Sequence, residues 1–131
     1  MDVPGDRLTR TTLERATCLE LLRAAAYARV VISIRCLPAA LPARIDVVSD
    51  HRLLLTSTED AVLAAARRGD VLSVQIDGLE DNGATWSVMA SGIGAVASPD
   101  ETPSAPLRAA VATGAALLTL PLSVVIGQRV S

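Results

Sequence analysis

The sequence predicts a small β-barrel trimmed by two or three helices, a mainly β fold of about six mostly antiparallel strands. Three observations point to it. Short β-branched runs recur with hairpin-like turns between them. Gly92 and Gly94 interrupt the longest run, as a barrel strand that must bend requires. Few segments carry helical periodicity. A chain of 131 residues is one domain's worth, so a single domain is expected over 1–131, with a linker-like segment at 97–106, around "SPDETPSAP".

Taken in order, Thr11 and Glu14 have capping-box spacing, and Cys18, Leu21, Leu22 and Ala25 then share a face, which predicts a helix over 12–26. "ARVVISI" reads as a strand, and "LPARIDVVSDHRLLLT" as two strands joined across Ser49, Asp50 and His51. Thr58 is placed to cap a helix with Glu59 and Asp60 in its first turn, Arg67 and Arg68 in its last, and Gly69 as its stop. Each of those charges complements the helix dipole. "DVLSVQID" alternates as a strand, "GLEDNGA" is a turn-rich loop, and "TWSVMASGIGAVAS" is a second, longer strand. An Ala-rich helix and a closing strand, "LSVVIGQRV", complete the chain.

Composition removes several function classes. Half the residues are hydrophobic and a fifth charged, with net charge -2, which fits neither a disordered chain nor a nucleic-acid-binding polycation. Tyr27 and Trp86 are the aromatic residues, too few to stack successive bases. Cys18 and Cys36 read as free thiols in a reducing cytoplasm rather than a disulfide. "MDVPGDRLTR" has no apolar core, so a secretory signal is not expected there. Ala109 to Gly127 carries no charge and approaches membrane-spanning length, but Thr113, Gly114, Thr119, Pro121 and Ser123 dilute it. A short helix followed by a buried strand accounts for the same residues without a membrane.

Catalytic motifs are missing. "GIGAVA" fits a dinucleotide fingerprint only formally, since that motif needs a helix directly after its glycines and "SPDETPSAP" follows instead. His51 is the sole histidine, too little for a zinc cluster or a His-based triad. No Ser occupies a nucleophile elbow.

The succession "CLELLRAAAYARVVIS", "LPARIDVV", "RLLLTS", "DAVLAAARRGD", "VLSVQID", "GATWSVMASGIGAV" and "IGQRV" resembles the pyridoxamine 5′-phosphate oxidase-like family of flavin-binding split barrels, in particular its short actinobacterial members. The resemblance covers roughly Leu13 to Val96 and the last few residues. It implies a split β-barrel, a homodimer with two cofactor sites in the subunit interface, and FMN or, in some branches, F420 as the bound group. Such proteins pass a hydride or use the site for binding alone. Pro42, Ala43, Arg44 and Ile45 match the strand that lines the flavin ring. Thr56, Ser57 and Thr58 match the strand end and helix start that hold the phosphate, and Trp86 and Ser87 match a pair near the partner subunit's cofactor. Where FMN-binding members commonly carry a basic residue, this chain has Glu59, Asp60 and Ala61. Arg67 and Arg68, two turns on, are the candidates for a relocated phosphate clamp. The sequence therefore supports a flavin site that is altered or weakened. The alternative is a cofactor-free dimeric barrel serving as a structural or interaction module. Pyridoxamine-phosphate oxidase activity itself is not expected, because the basic and aromatic residues for that substrate have no counterparts.

Overall fold

The computed structural model describes residues 9–131 and consists of a single antiparallel sheet of nine strands with three helices. The absence of a signal-like core in "MDVPGDRLTR" concerns a segment that lies, apart from its last two residues, outside the described residues. The elements are β1 (Arg10–Leu13), α1 (Arg15–Ala24), β2 (Tyr27–Ile34), β3 (Leu37–Ser49), β4 (Arg52–Ser57), α2 (Asp60–Arg68), β5 (Val71–Leu79), β6 (Thr85–Ile93), β7 (Ala95–Val96), α3 (Ala105–Ala112), β8 (Ala116–Pro121) and β9 (Val124–Val130). Across the sheet the order is β1-β9-β6-β5-β2-β3-β4-β8-β7.

The expected fold class holds, while the strand count rises from six to nine for three local reasons. Thr11 and Thr12 do not cap a helix. They pair with Arg129 and Gln128 of β9, so "TTL" is an edge strand and α1 starts at Arg15 behind Glu14. The long strand read in "TWSVMASGIGAVAS" breaks at Gly94 into β6 and β7. The apolar run from Ala109 resolves into the end of α3, the buried strand β8 and the start of β9. Among the described residues no helix is long and apolar enough to cross a membrane.

The bend between β6 and β7 brings the two ends of the sheet together. β6 pairs with β5 and β9, and past Gly94 the chain continues as β7 against β8. At Gly92 a Cβ would collide with the carbonyl oxygen of Pro121, and at Gly94 with the side chain of Leu72. Only glycine allows backbones to cross this closely.

Alternation in the strands sends one set of side chains into the barrel: Val30, Ala43, Ile45, Leu53, Leu55, Leu72, Val74, Val88, Ala90, Leu118 and Leu120 are all buried in one cluster. Cys18, Leu19 and Leu22 of α1 and Val62, Ala65 and Ala66 of α2 join it. Each fully buried aliphatic side chain contributes about 1.5–3 kcal/mol. Burial raises the Cys18 thiol above its ordinary value of 9.0. On the other face of β4, Leu54 and Thr56 are also buried, because α3 packs across β3 and β4 there. Ser104, at the head of α3, donates from its N–H and its hydroxyl to the two Asp46 carboxylate oxygens at 2.7 and 2.8 Å. Arg52 pairs with Glu101 beside it. These contacts fix α3 over the sheet and leave its last turn at the edge of a cleft.

Candidate functional site

The cleft follows from strand register. Tyr27 of β2 pairs with Arg44 of β3, and Arg44 with Thr56 of β4, so the three form one row across neighbouring strands. Arg44 and Pro42 belong to the outward set, opposite the inward Ala43 and Ile45. α3 covers the sheet only as far as Thr113, so the end of this row stays open. The resulting cleft of about 310 Å³ is lined by Tyr27, Pro42, Ala43, Arg44, Thr56, Ser57 and Thr58, with Ala110, Thr113 and Ala115 as the opposing wall.

Six of the residues singled out in the sequence, Pro42, Ala43, Arg44, Thr56, Ser57 and Thr58, thus meet in one place. Ile45 does not join them: strand alternation turns it into the core, where it is 4% exposed. Arg67 and Arg68 are not among the lining residues either. They end α2, and Arg68 donates two hydrogen bonds to Asp70 at 2.8 and 3.0 Å. Trp86 and Ser87 lie on β6, in a separate depression with Asp77, Gly78 and Gln128. There the indole covers Gly78 so closely that a Cβ would strike its ring. Beside this depression Arg129 donates two hydrogen bonds to Glu80, at 2.8 and 2.7 Å, which holds the Glu80 carboxyl below its ordinary value.

Sequence reasoning missed Tyr27, Ala110, Thr113 and Ala115. Tyr27 enters through its pairing with Arg44, a tertiary register that no local pattern displays. Ala110 lies in α3, Thr113 caps it, and Ala115 follows just before β8; the sequence predicts the helix there, but not that its end faces Arg44.

Chemically, the cleft offers one guanidinium, several hydroxyls and one phenol ring. Among the described residues Arg44 forms no ion pair and is the only cation lining the cleft, so its five donors remain for a ligand. Ser57 accepts the Glu59 N–H at 3.1 Å, which shapes the turn into α2 where Thr58 had been expected to act as the cap. Thr113 donates to the carbonyl of Ala110 at 2.9 Å and ties down the last turn of α3. Glu59 and Asp60 follow Thr58 directly but do not line the cleft. Among the described residues no group of three or more His, Cys, Asp or Glu residues is placed to hold a metal.

The sequence pattern described as pyridoxamine 5′-phosphate oxidase matches residues 14–125. No curated protein matches the chain. Among solved structures, an FAD-binding protein from Mesorhizobium loti is similar over 95% of this chain and 99% of its own, with 19% identity and a TM-score of 0.75. The FAD-binding protein from Mycobacterium smegmatis is 21% identical over 92% of this chain and 98% of its own, with a TM-score of 0.68. The FAD and heme binding protein from Mycobacterium smegmatis is 16% identical over 90% of this chain and 71% of its own, with a TM-score of 0.64. At these identities the likeness establishes the fold.

Proposed function

Because the chain belongs to the pyridoxamine 5′-phosphate oxidase family, we propose that the cleft around Arg44 binds a flavin-type cofactor and that the protein is a flavin-binding split barrel with oxidoreductase capacity. One observation carries this reading: the row Tyr27, Arg44 and Thr56, continued by Ser57 and Thr58, sets a guanidinium without an ion-pair partner among the described residues beside hydroxyls and an exposed ring. That set suits a phosphate joined to an aromatic group. The similar structures named as FAD-binding proteins support the same ligand class.

When bound, a flavin supplies hydride transfer, and the protein supplies position and electrostatics. Arg44 anchors the anionic part, Thr56 and Ser57 are buried hydroxyls fixed by the β4 ladder, and α3 excludes water from one side. Among the residues lining the cleft there is no His, Asp, Glu, Lys or Cys.

Glu59 and Asp60 limit how tightly a highly charged phosphate can be held. Like charges about 4 Å apart cost roughly 1 kcal/mol in water and about 4 near a protein surface. This feature favours the second reading, a cofactor-free dimeric barrel acting as an interaction module. The two separate on Arg44→Ala. The flavin reading expects this variant to weaken flavin binding roughly tenfold or more, the worth of a charge-assisted hydrogen bond, as followed by fluorescence titration. Unchanged binding by a folded variant would place the ligand elsewhere.

We further propose a homodimer formed through the outer face of β2, β5, β6 and β9. Registered rows there put Ile126 beside Met89, Val124 beside Ser91, and Ile93 beside Val71, and these apolar side chains are exposed in the single chain. These apolar side chains are interspersed with Ser73, Ser87, Ser91 and Gln128, a mixed exposed surface of the kind partners dock on.

A further inference from the structure

Helix α3 borders two hollows. Ala110 and Thr113 form a wall of the Arg44 cleft, whereas Arg108, Val111 and Ala112, spaced i, i+3 and i+4 on the helix, line a second groove. This groove of about 570 Å³ lies between α3, the strap over residues 97–103 and the strands β7 and β8. The chain itself sets its shape. Val96 pairs with Leu118 of β8, and the Ala97 N–H donates to the Leu117 carbonyl at 3.0 Å, which fixes one wall. The strap is held at three points: Ser98 accepts the Asp100 N–H at 3.3 Å, Glu101 pairs with Arg52, and Ser104 is tied to Asp46. Pro99 and Pro103 stiffen it further. Such a groove is formed before any ligand arrives, as small-molecule sites commonly are.

Polarity and charge define what it fits. Val96, Pro99, Pro103, Val111 and Leu117 make the walls apolar, and Val96 and Val111 are left 50% and 40% exposed. Two charged side chains reach the groove. Glu101 is matched by Arg52. Arg108 forms no ion pair among the described residues. One of its N–H groups donates to the Pro103 carbonyl at 2.7 Å, which holds the guanidinium at the groove and leaves the remaining donors for a ligand. An apolar trough with one uncompensated cation is complementary to a singly charged anion on a hydrocarbon chain. A phosphate ester, at about −1.5 to −2, would exceed the charge of one guanidinium. A carboxylate equals it and fits the guanidinium fork.

We propose that the groove behind α3 is a second ligand site, which takes a linear aliphatic monocarboxylate with its head on Arg108 and its chain along Val111, Leu117 and Val96. The site stands apart from the flavin reading, because it shares no lining residue with the Arg44 cleft. It also includes none of the exposed side chains assigned to the homodimer face.

The test is isothermal titration of the full chain with hexanoate, octanoate and octanol, repeated on Arg108→Ala, Arg44→Ala and Val111→Asp. Octanoate is expected to bind about tenfold or more tightly than octanol, the worth of a charge-assisted hydrogen bond. It is expected to exceed hexanoate by about tenfold as well, the gain from two buried methylenes. Arg108→Ala is expected to erase the advantage over octanol, Val111→Asp to weaken both ligands, and Arg44→Ala to change neither. Val111 is an exposed helix position, so its variant keeps the core intact and tests the groove even if Arg108→Ala fails to fold. Equal binding of octanoate and octanol, or no binding of octanoate at millimolar concentration, would overturn the proposal. Loss of octanoate on Arg44→Ala but not on Arg108→Ala would place the acid in the Arg44 cleft and overturn it too. A dimer that Val111→Asp dissociates in light scattering would give the groove to a second copy, with the same consequence.

Discussion

At the scale of single residues, the cleft is decided by strand alternation. Arg44 and Ile45 are neighbours in sequence, yet one reaches the cleft and the other the core, because successive strand residues face opposite ways. The acids at the start of α2 are explained by the helix alone: Asp60 lies in the first turn, Arg67 and Arg68 in the last, and Gly69 ends it in the left-handed region at φ 74°. Their effect on a ligand is a separate matter and can be measured. Asp60→Lys exchanges an anion for a cation beside Thr58. It is expected to strengthen FMN binding and to lower helix stability by about 0.3–1 kcal/mol, the usual penalty for a cation at a helix start. Fluorescence titration with FMN reads the first effect and thermal unfolding the second. An unchanged FMN affinity would contradict the placement of the phosphate at this end of β4.

At the scale of elements, what the sequence made legible was whatever local pattern controls. The strands from Tyr27 to Leu79 and helix α2 emerge from periodicity and turn chemistry, whereas Arg44, Thr56, Ser57 and Thr58 became site candidates through the family resemblance. What stayed hidden depends on distant partners. "TTLE" satisfies a capping pattern, but pairing of Thr11 and Thr12 with β9 outweighs it. Tyr27 joins the cleft only through the β2–β3 register, while β8 lies in the run read as a short helix followed by a buried strand. The glycine bend was visible because it has a local signature, and its role is a close crossing of β6 with β8 at Pro121. Gly92→Ala is expected to destabilise the fold by about 1–3 kcal/mol, the usual penalty for overpacking, in a urea denaturation series. A change within about 0.5 kcal/mol, the range of neutral surface substitutions, would show that the crossing is not tight.

At the scale of the whole molecule, the barrel presents two different outer surfaces. α3 seals the face of β3 and β4 and frames the cleft, fastened through Asp46, Ser104, Arg52 and Glu101. The outer face of β2, β5, β6 and β9 exposes Met89, Val124 and Ile126. Trp86 and Ser87, which the resemblance assigns to a partner's cofactor, lie beside that open face and outside the Arg44 cleft. A second copy covering the open face would reconcile their position with a shared site. The central claim, a flavin-binding dimeric barrel, is tested most directly by titrating the purified chain with flavins while light scattering reports its mass. The account predicts low-micromolar binding at one flavin per chain in a particle of two chains. A colourless monomer that takes up no flavin at high micromolar concentration would contradict it.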